Sequence, residues 1–302
     1  MRHNLTARPN ATAPRVRPLH PIVADLLFLG TAASYFAAFV LFLVHLTGNK
    51  HFAKALPKAV WLVGIGAVLH VAHIIVASLV LHVCPVKGIH FTMSVTSALA
   101  CLVYIAMRVR YRVDVVGVIV APVALTFLIA SVVIGRGERA DAGPMKGAIL
   151  PLHIVANVLG DALFLLAFAS AVAYLVQERR LKQKKLTGLF QRLPPLDALD
   201  RAEHGFLLAG FPPLTVGIIT GAVFAQKVEA GGAADVWRAA FGYATWGLFA
   251  AVLLLRAVGG WRGRRAAYGT IAGFGFAVAV LLMYLFRGAA GGGTPVALLG
   301  GP

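Results

Sequence analysis

Residues 149–180 read ILPLHIVANVLGDALFLLAFASAVAYLVQERR. Between Asp161 and Glu178 no charged residue occurs, and small or apolar side chains occupy nearly every helical face. A soluble helix would keep a broad polar face. A run of about 20 such residues spans a hydrocarbon core roughly 30 Å thick. Lipid offers no hydrogen bonds, so the backbone must satisfy itself as a helix. Glu178-Arg179-Arg180 then marks arrival at a polar surface.

Working outward, seven similar runs flank it. The eight predicted spans are 24–47, 58–83, 89–107, 113–134, 149–177, 205–226, 240–258 and 267–286. The expected architecture is therefore all-α, a polytopic membrane helical bundle of about eight transmembrane helices. Composition agrees. Charged residues make up 13% and apolar residues 59% of the chain, against roughly 25% charged in soluble proteins. The first run is too long for a signal-peptide core and lacks a small-x-small exit.

The net charge is +17. Lys and Arg sit between the apolar runs and not on a soluble basic module, so the charge is topological and nucleic acid is not an expected partner. Of the 28 Lys and Arg, 17 fall in 48–58, 108–112, 178–204 and 256–266, and 11 on the opposite side. The positive-inside bias places both termini on the outer side of a cell (inner) membrane. The expected organisation is an outer N-terminal tail (1–23), one transmembrane domain (24–286) and a flexible Gly-rich tail (287–302). Within 178–204, Leu193-Pro194-Pro195-Leu196 and Leu199 suggest a short helix lying on the inner surface. The chain has two cysteines, Cys84 and Cys101, and no CxxC. Soluble catalytic motifs such as HExxH, GxSxG or a phosphate-binding Gly loop are missing as well.

Polar groups at membrane depth are costly and need a reason. His153, Asn157 and Asp161 recur every four residues and share one face, with Asp161 about 12 Å deeper than His153. They read as a ligand at the mouth of a polar groove, or as a hydrogen-bonded helix seam. His70 and His73 share a face of the second span. They fit haem ligands or a proton path, or else interhelical hydrogen bonds. His82 and His90 bracket the outer turn Cys84–Gly88, level with His153, and His90 is the preferred partner for a bis-histidine iron site. Phe164 and Phe168, on the Asp161 stripe, read as core packing.

Three stretches together resemble a known family. They are His153 through Gln177-Glu178-Arg179-Arg180, Leu193-Pro194-Pro195-Leu196-Asp197 running into Gly217 and Gly221, and Trp246 through Gly260-Trp261-Arg262-Gly263-Arg264-Arg265. Over about 150–266 the chain resembles the cytochrome c assembly family of membrane haem-handling proteins (CcsA and CcmC type), most closely its HemX-like branch. The resemblance implies haem binding and delivery for cytochrome c assembly, with outward histidines as axial ligands beneath a Trp-rich outer segment. His153 matches the histidine preceding that segment. Here the segment, 227–239, lacks the Trp-Gly…Trp-Asp core and keeps Asp235 and Trp237, and the last span has no histidine. The implied cargo is haem b, held transiently by His153 and His90, with Arg238 or Lys227 near the propionates and Trp237 beside them. His70 and His73 form an implied second site. The implied partners are other cytochrome c maturation components or haem-synthesis enzymes. A HemX-like regulator or scaffold and a proton-coupled transporter using Asp161, His70 and His73 are the alternatives.

Overall fold

The computed structural model describes residues 19–46, 54–81, 89–111, 113–135, 149–184, 194–227 and 233–291. They form eight α-helices: α1 (Leu19–Leu46), α2 (Ala55–Leu81), α3 (Ile89–Tyr111), α4 (Gly117–Gly135), α5 (Ile149–Lys182), α6 (Leu196–Lys227), α7 (Ala233–Gly259) and α8 (Arg264–Gly291). A single 3₁₀ turn, Asp114–Val116, leads into α4. All eight are long and apolar enough to cross a membrane, and no strand occurs among the described residues.

Helices adjacent in sequence pack as hairpins: α1 on α2, α3 on α4, α5 on α6, α7 on α8. The α1–α2 hairpin joins the rest chiefly through α1 on α4 and α2 on α3. The α5 helix is the hub, packed against α3, α6 and α8. Its span is 67% buried within the protein, against 22–44% for the other seven. That position follows from its composition: Ala156, Gly160, Ala162, Ala167, Ala169 and Ala171 let neighbours approach closely. Lipid-exposed positions elsewhere carry large apolar side chains, with Trp61 74% and Val258 82% exposed.

Aromatic stacking ties the hub to the second half. Phe164 stacks on Phe249 of α7 at 4.1 Å between centroids, and Phe168 on Phe274 of α8 at 4.6 Å. Both rings are packing elements.

Two boundaries differ from expectation. The stretch after Pro194-Pro195 is not a separate surface helix: it is the first turns of α6, continuous to Lys227. Leu199 and Ala202 are fully buried there and anchor it, and the prolines sit just before the helix begins, where no donor is lost. Likewise the outer segment is helical from Ala233, so Trp237 and Arg238 lie on the first turns of α7.

Candidate functional site

The face carrying His153, Asn157 and Asp161 begins against α6. Opposite it stand Gly217 and Gly221, four residues apart and so on one side of α6. A methyl group at Gly221 would lie 2.8 Å from the His153 ring, and one at Gly217 would strike the Asn157 amide. The glycines thus form the bed in which the two side chains rest.

In that bed His153 Nδ1 lies 2.9 Å from the Gly217 carbonyl oxygen and 3.3 Å from the Thr220 hydroxyl. A carbonyl only accepts, so Nδ1 carries the proton and donates it. Nε2 is then left with its lone pair. Asn157 Nδ2 donates to the His153 carbonyl at 2.8 Å and sits within 3.3 Å of the ring nitrogens. The imidazole is partly exposed. Histidine ligands to metals commonly donate their second nitrogen to a backbone carbonyl, which fixes ring orientation. Deeper in the span, Asp161 makes no hydrogen bond or ion pair among the described residues. Near its level, Trp246 of α7 donates from Nε1 to the Thr215 hydroxyl at 3.0 Å and stacks on Phe211.

His70 and His73 lie apart from this site, in the α1–α2 hairpin. His70 is fully buried, with Nε2 2.9 Å from Ser94 Oγ and Nδ1 3.3 Å from the Tyr35 hydroxyl. Both nitrogens are therefore engaged. His73 donates from Nδ1 to the Ala24 carbonyl at 3.0 Å and packs on Phe28. The two histidines work here as links among α1, α2 and α3.

His90 is the second residue of α3, but its side chain lies outside the described residues, as does the whole of His82 and the side chain of Lys227. Trp237 is 61% exposed at the start of α7, beside the partly exposed Arg238.

The opposite end of the bundle holds polar groups that spacing alone did not single out. Asp200 near the start of α6 accepts from Arg256 at the end of α7, Nη2 to Oδ2 at 2.5 Å and Nη1 to Oδ1 at 3.1 Å, and from the Gly263 amide at 2.8 Å. Arg256 also reaches the Asp200 carbonyl at 3.1 Å. Glu203, fully buried, accepts from Thr270 of α8 at 2.6 Å, while its other oxygen has no hydrogen-bond partner among the described residues. Asp200 and Glu203 lie one and two turns into α6, just before the predicted apolar span 205–226, and Arg256 stands in the last turn of α7.

An all-helical bundle with eight membrane-crossing helices and a glycine-bedded histidine at one rim defines a multi-pass membrane protein. Comparison with known families narrows the class: residues 83–290 match the cytochrome C assembly protein family, and the chain belongs to it. The match takes in α3 through α8 and leaves α1 and α2 outside. Among similar proteins, the cytochrome c biogenesis protein CcsA of Guillardia theta is 30% identical over 207 residues, covering 61% of this chain and 67% of its own. CcsA of Microcystis aeruginosa is 28% identical over 233 residues, covering 61% and 70%. CcsA of Gloeothece citriformis reaches 41% over a shorter 97 residues, 32% and 28% of the two chains. No solved structure matches.

Proposed function

We propose that this protein handles haem for cytochrome c assembly, holding the macrocycle transiently at the outer rim of the membrane through His153. The observation that carries the reading is the Nδ1 hydrogen bond to the Gly217 carbonyl, which leaves the Nε2 lone pair, met only by the Asn157 amide at 3.3 Å, as the ligating atom at a partly exposed helix mouth. A haem needs an axial nitrogen, apolar walls and a cation near its propionates. The apolar surfaces of α5 and α6 supply walls. Arg238 and Lys227 near that end are the cations, and exposed Trp237 is a flat surface beside them. Asn157 steadies the ring. His90 is the proposed second ligand: α3 packs on α5 and both helices start at the same end. In this reading the basic loops face the cytoplasm of the cell (inner) membrane, both termini face outward, and haem b is cargo received from haem synthesis and passed to maturation components.

The iron goes to His153 and not to His70, because ligation by His70 would break two hydrogen bonds inside a closed core. The CcsA relatives are named cytochrome c biogenesis proteins, which supports the assembly part of this reading.

A HemX-like role, supporting or regulating haem metabolism without transfer, is favoured by one observation: segment 227–239 lacks the Trp-Gly…Trp-Asp core. The two readings separate in one experiment. The chain is purified in detergent, its Soret band is recorded and haem is counted by pyridine haemochrome. Haem handling requires a band in the wild type that falls at least several-fold in His153→Ala. A wild type without haem, even when supplied with it, leaves the supporting role.

A further inference from the structure

The arginine-rich end of the bundle contains a pocket of about 1130 Å³ where the ends of α3, α5 and α7 meet the start of α6 and the turn before α8. Arg110, Arg201, Arg256, Arg262 and His204 line it, with Tyr111 and Tyr174.

Charge at this end is far from balanced. It carries 17 of the 28 Lys and Arg but only five carboxylates: Asp114, Glu178, Asp197, Asp200 and Glu203. Four of the five already hold a cation. Arg108 is on Asp114 at 2.6 Å, Lys182 on Glu178 at 2.6 Å, Arg201 on Asp197 at 3.1 Å and Arg256 on Asp200 at 2.5 Å. Glu203 is closed off beneath, bonded to Thr270. Arg110 rests over the Tyr111 ring at 5.9 Å, and neither it nor Arg262 has a carboxylate among the described residues. The sequence stretches at this end outside the described residues, 47–53, 112 and 185–193, contain no Asp or Glu either. The lining thus holds four guanidinium groups and two carboxylates, Asp197 and Asp200, each of which already holds an arginine, so Arg110 and Arg262 are the two without a carboxylate among the described residues.

The His204 ring lines the pocket as well, and its Nδ1 is buried with no hydrogen-bond partner among the described residues. Just beside it the surface turns apolar: Val109 is 71% and Val258 82% exposed, each adjacent to the lining in sequence. A ligand here meets cations at its head and lipid-facing side chains along its flank.

We propose that this pocket binds a phosphate group, presented by the headgroup of an anionic membrane lipid. Arginine forks suit phosphate oxygens bidentately, and basic pockets between transmembrane helices are where anionic headgroups lodge. The depth fits as well, since the lining residues stand where the apolar spans end, level with headgroups. Arg256 is held in place by Asp200, so the pocket wall is set before the ligand arrives. Arg110 and Arg262 make the ion contacts.

The test is thermal unfolding of the detergent-purified full chain with added phosphatidylglycerol, phosphatidylcholine, or sodium phosphate at matched ionic strength. Native mass spectrometry counts the lipids retained. The compared variants are Arg110→Gln/Arg262→Gln and, as a control of equal charge outside the lining, Arg264→Gln/Arg265→Gln. The expected result is a rise in unfolding temperature and retained lipid with phosphatidylglycerol alone. Both should be lost in the pocket pair and kept in the control pair. An equal rise with sodium phosphate, lost in the same pair, assigns the site to free phosphate instead. No rise in the wild type, or the same rise in all three proteins, overturns the proposal, because generic attraction to a basic surface does not distinguish the two pairs.

Discussion

At the residue scale, the protein is organised around what each imidazole within the spans does with two nitrogens. His70 and His153 look alike in sequence, each within an apolar run beside a second polar residue. The structure separates them: His70 closes a hydrogen-bond chain between Tyr35 and Ser94, while His153 spends only Nδ1 on α6. Gly221 is what permits this, so Gly221→Val should push the ring off its bed. The expected outcome is loss of haem absorbance comparable to His153→Ala, with helicity by circular dichroism unchanged. Asp161 gives a different prediction. It has no partner among the described residues and lies below the rim, so Asp161→Asn should leave the haem spectrum as in the wild type. If instead the chain moves protons or solutes, the same variant abolishes flux in proteoliposomes and the spectrum is irrelevant. The sequence displayed the shared face of His153, Asn157 and Asp161, because a period of four is visible in one chain. It did not display which of the three would meet α6, because that depends on glycines 64 and 68 residues further on.

At the element scale, α5 and α6 form the scaffold, and the ends of α6 are fastened differently. One end is bedded on His153 and Asn157 through glycine contacts. The other is latched by Asp200 to Arg256 and to the Gly263 amide, joining α6, α7 and the turn before α8. Their side chains are only 14% and 7% exposed, so the pair is shielded from water. Removing one partner of such a pair leaves a buried charge alone and typically costs about 3–5 kcal/mol. Asp200→Ala should therefore unfold at markedly lower temperature in detergent, whereas Asp197→Ala, which frees a solvent-exposed i,i+4 pair, should change stability by under about 1 kcal/mol. Scanning fluorimetry of the two variants reads the contrast. The helices themselves were legible, since lipid forces apolar runs into helices whatever their neighbours. Their ends were not. The charges and prolines of 193–204 resemble the end of a membrane element, yet α6 simply extends beyond the apolar region. Leu199, which suggested a surface helix, is buried because α6 continues through it.

At the scale of the whole molecule, two unlike ends face each other across the bundle. One bears the histidine mouth and 11 of the 28 Lys and Arg, and the other bears 17 of them. The positive-inside tendency assigns the basic end to the cytoplasm, and the Arg residues of the N-terminal tail pull the other way. Orientation decides the proposed chemistry, because a haem delivered to an outward cytochrome must be held at an outward mouth. Native Cys84 supplies a probe. In sequence it falls in the connection between α2 and α3, outside the described residues, whereas Cys101 is fully buried within α3. Intact cells or spheroplasts treated with a membrane-impermeant maleimide should label Cys84. In a Cys84→Ser background, Thr187→Cys in the α5–α6 connection should label only after the membrane is opened. The reverse pattern would put His153 on the cytoplasmic face. The site would then suit capture of newly made haem and not its presentation to an external acceptor, and the charge asymmetry would have to be read as lipid or partner binding on the outer surface.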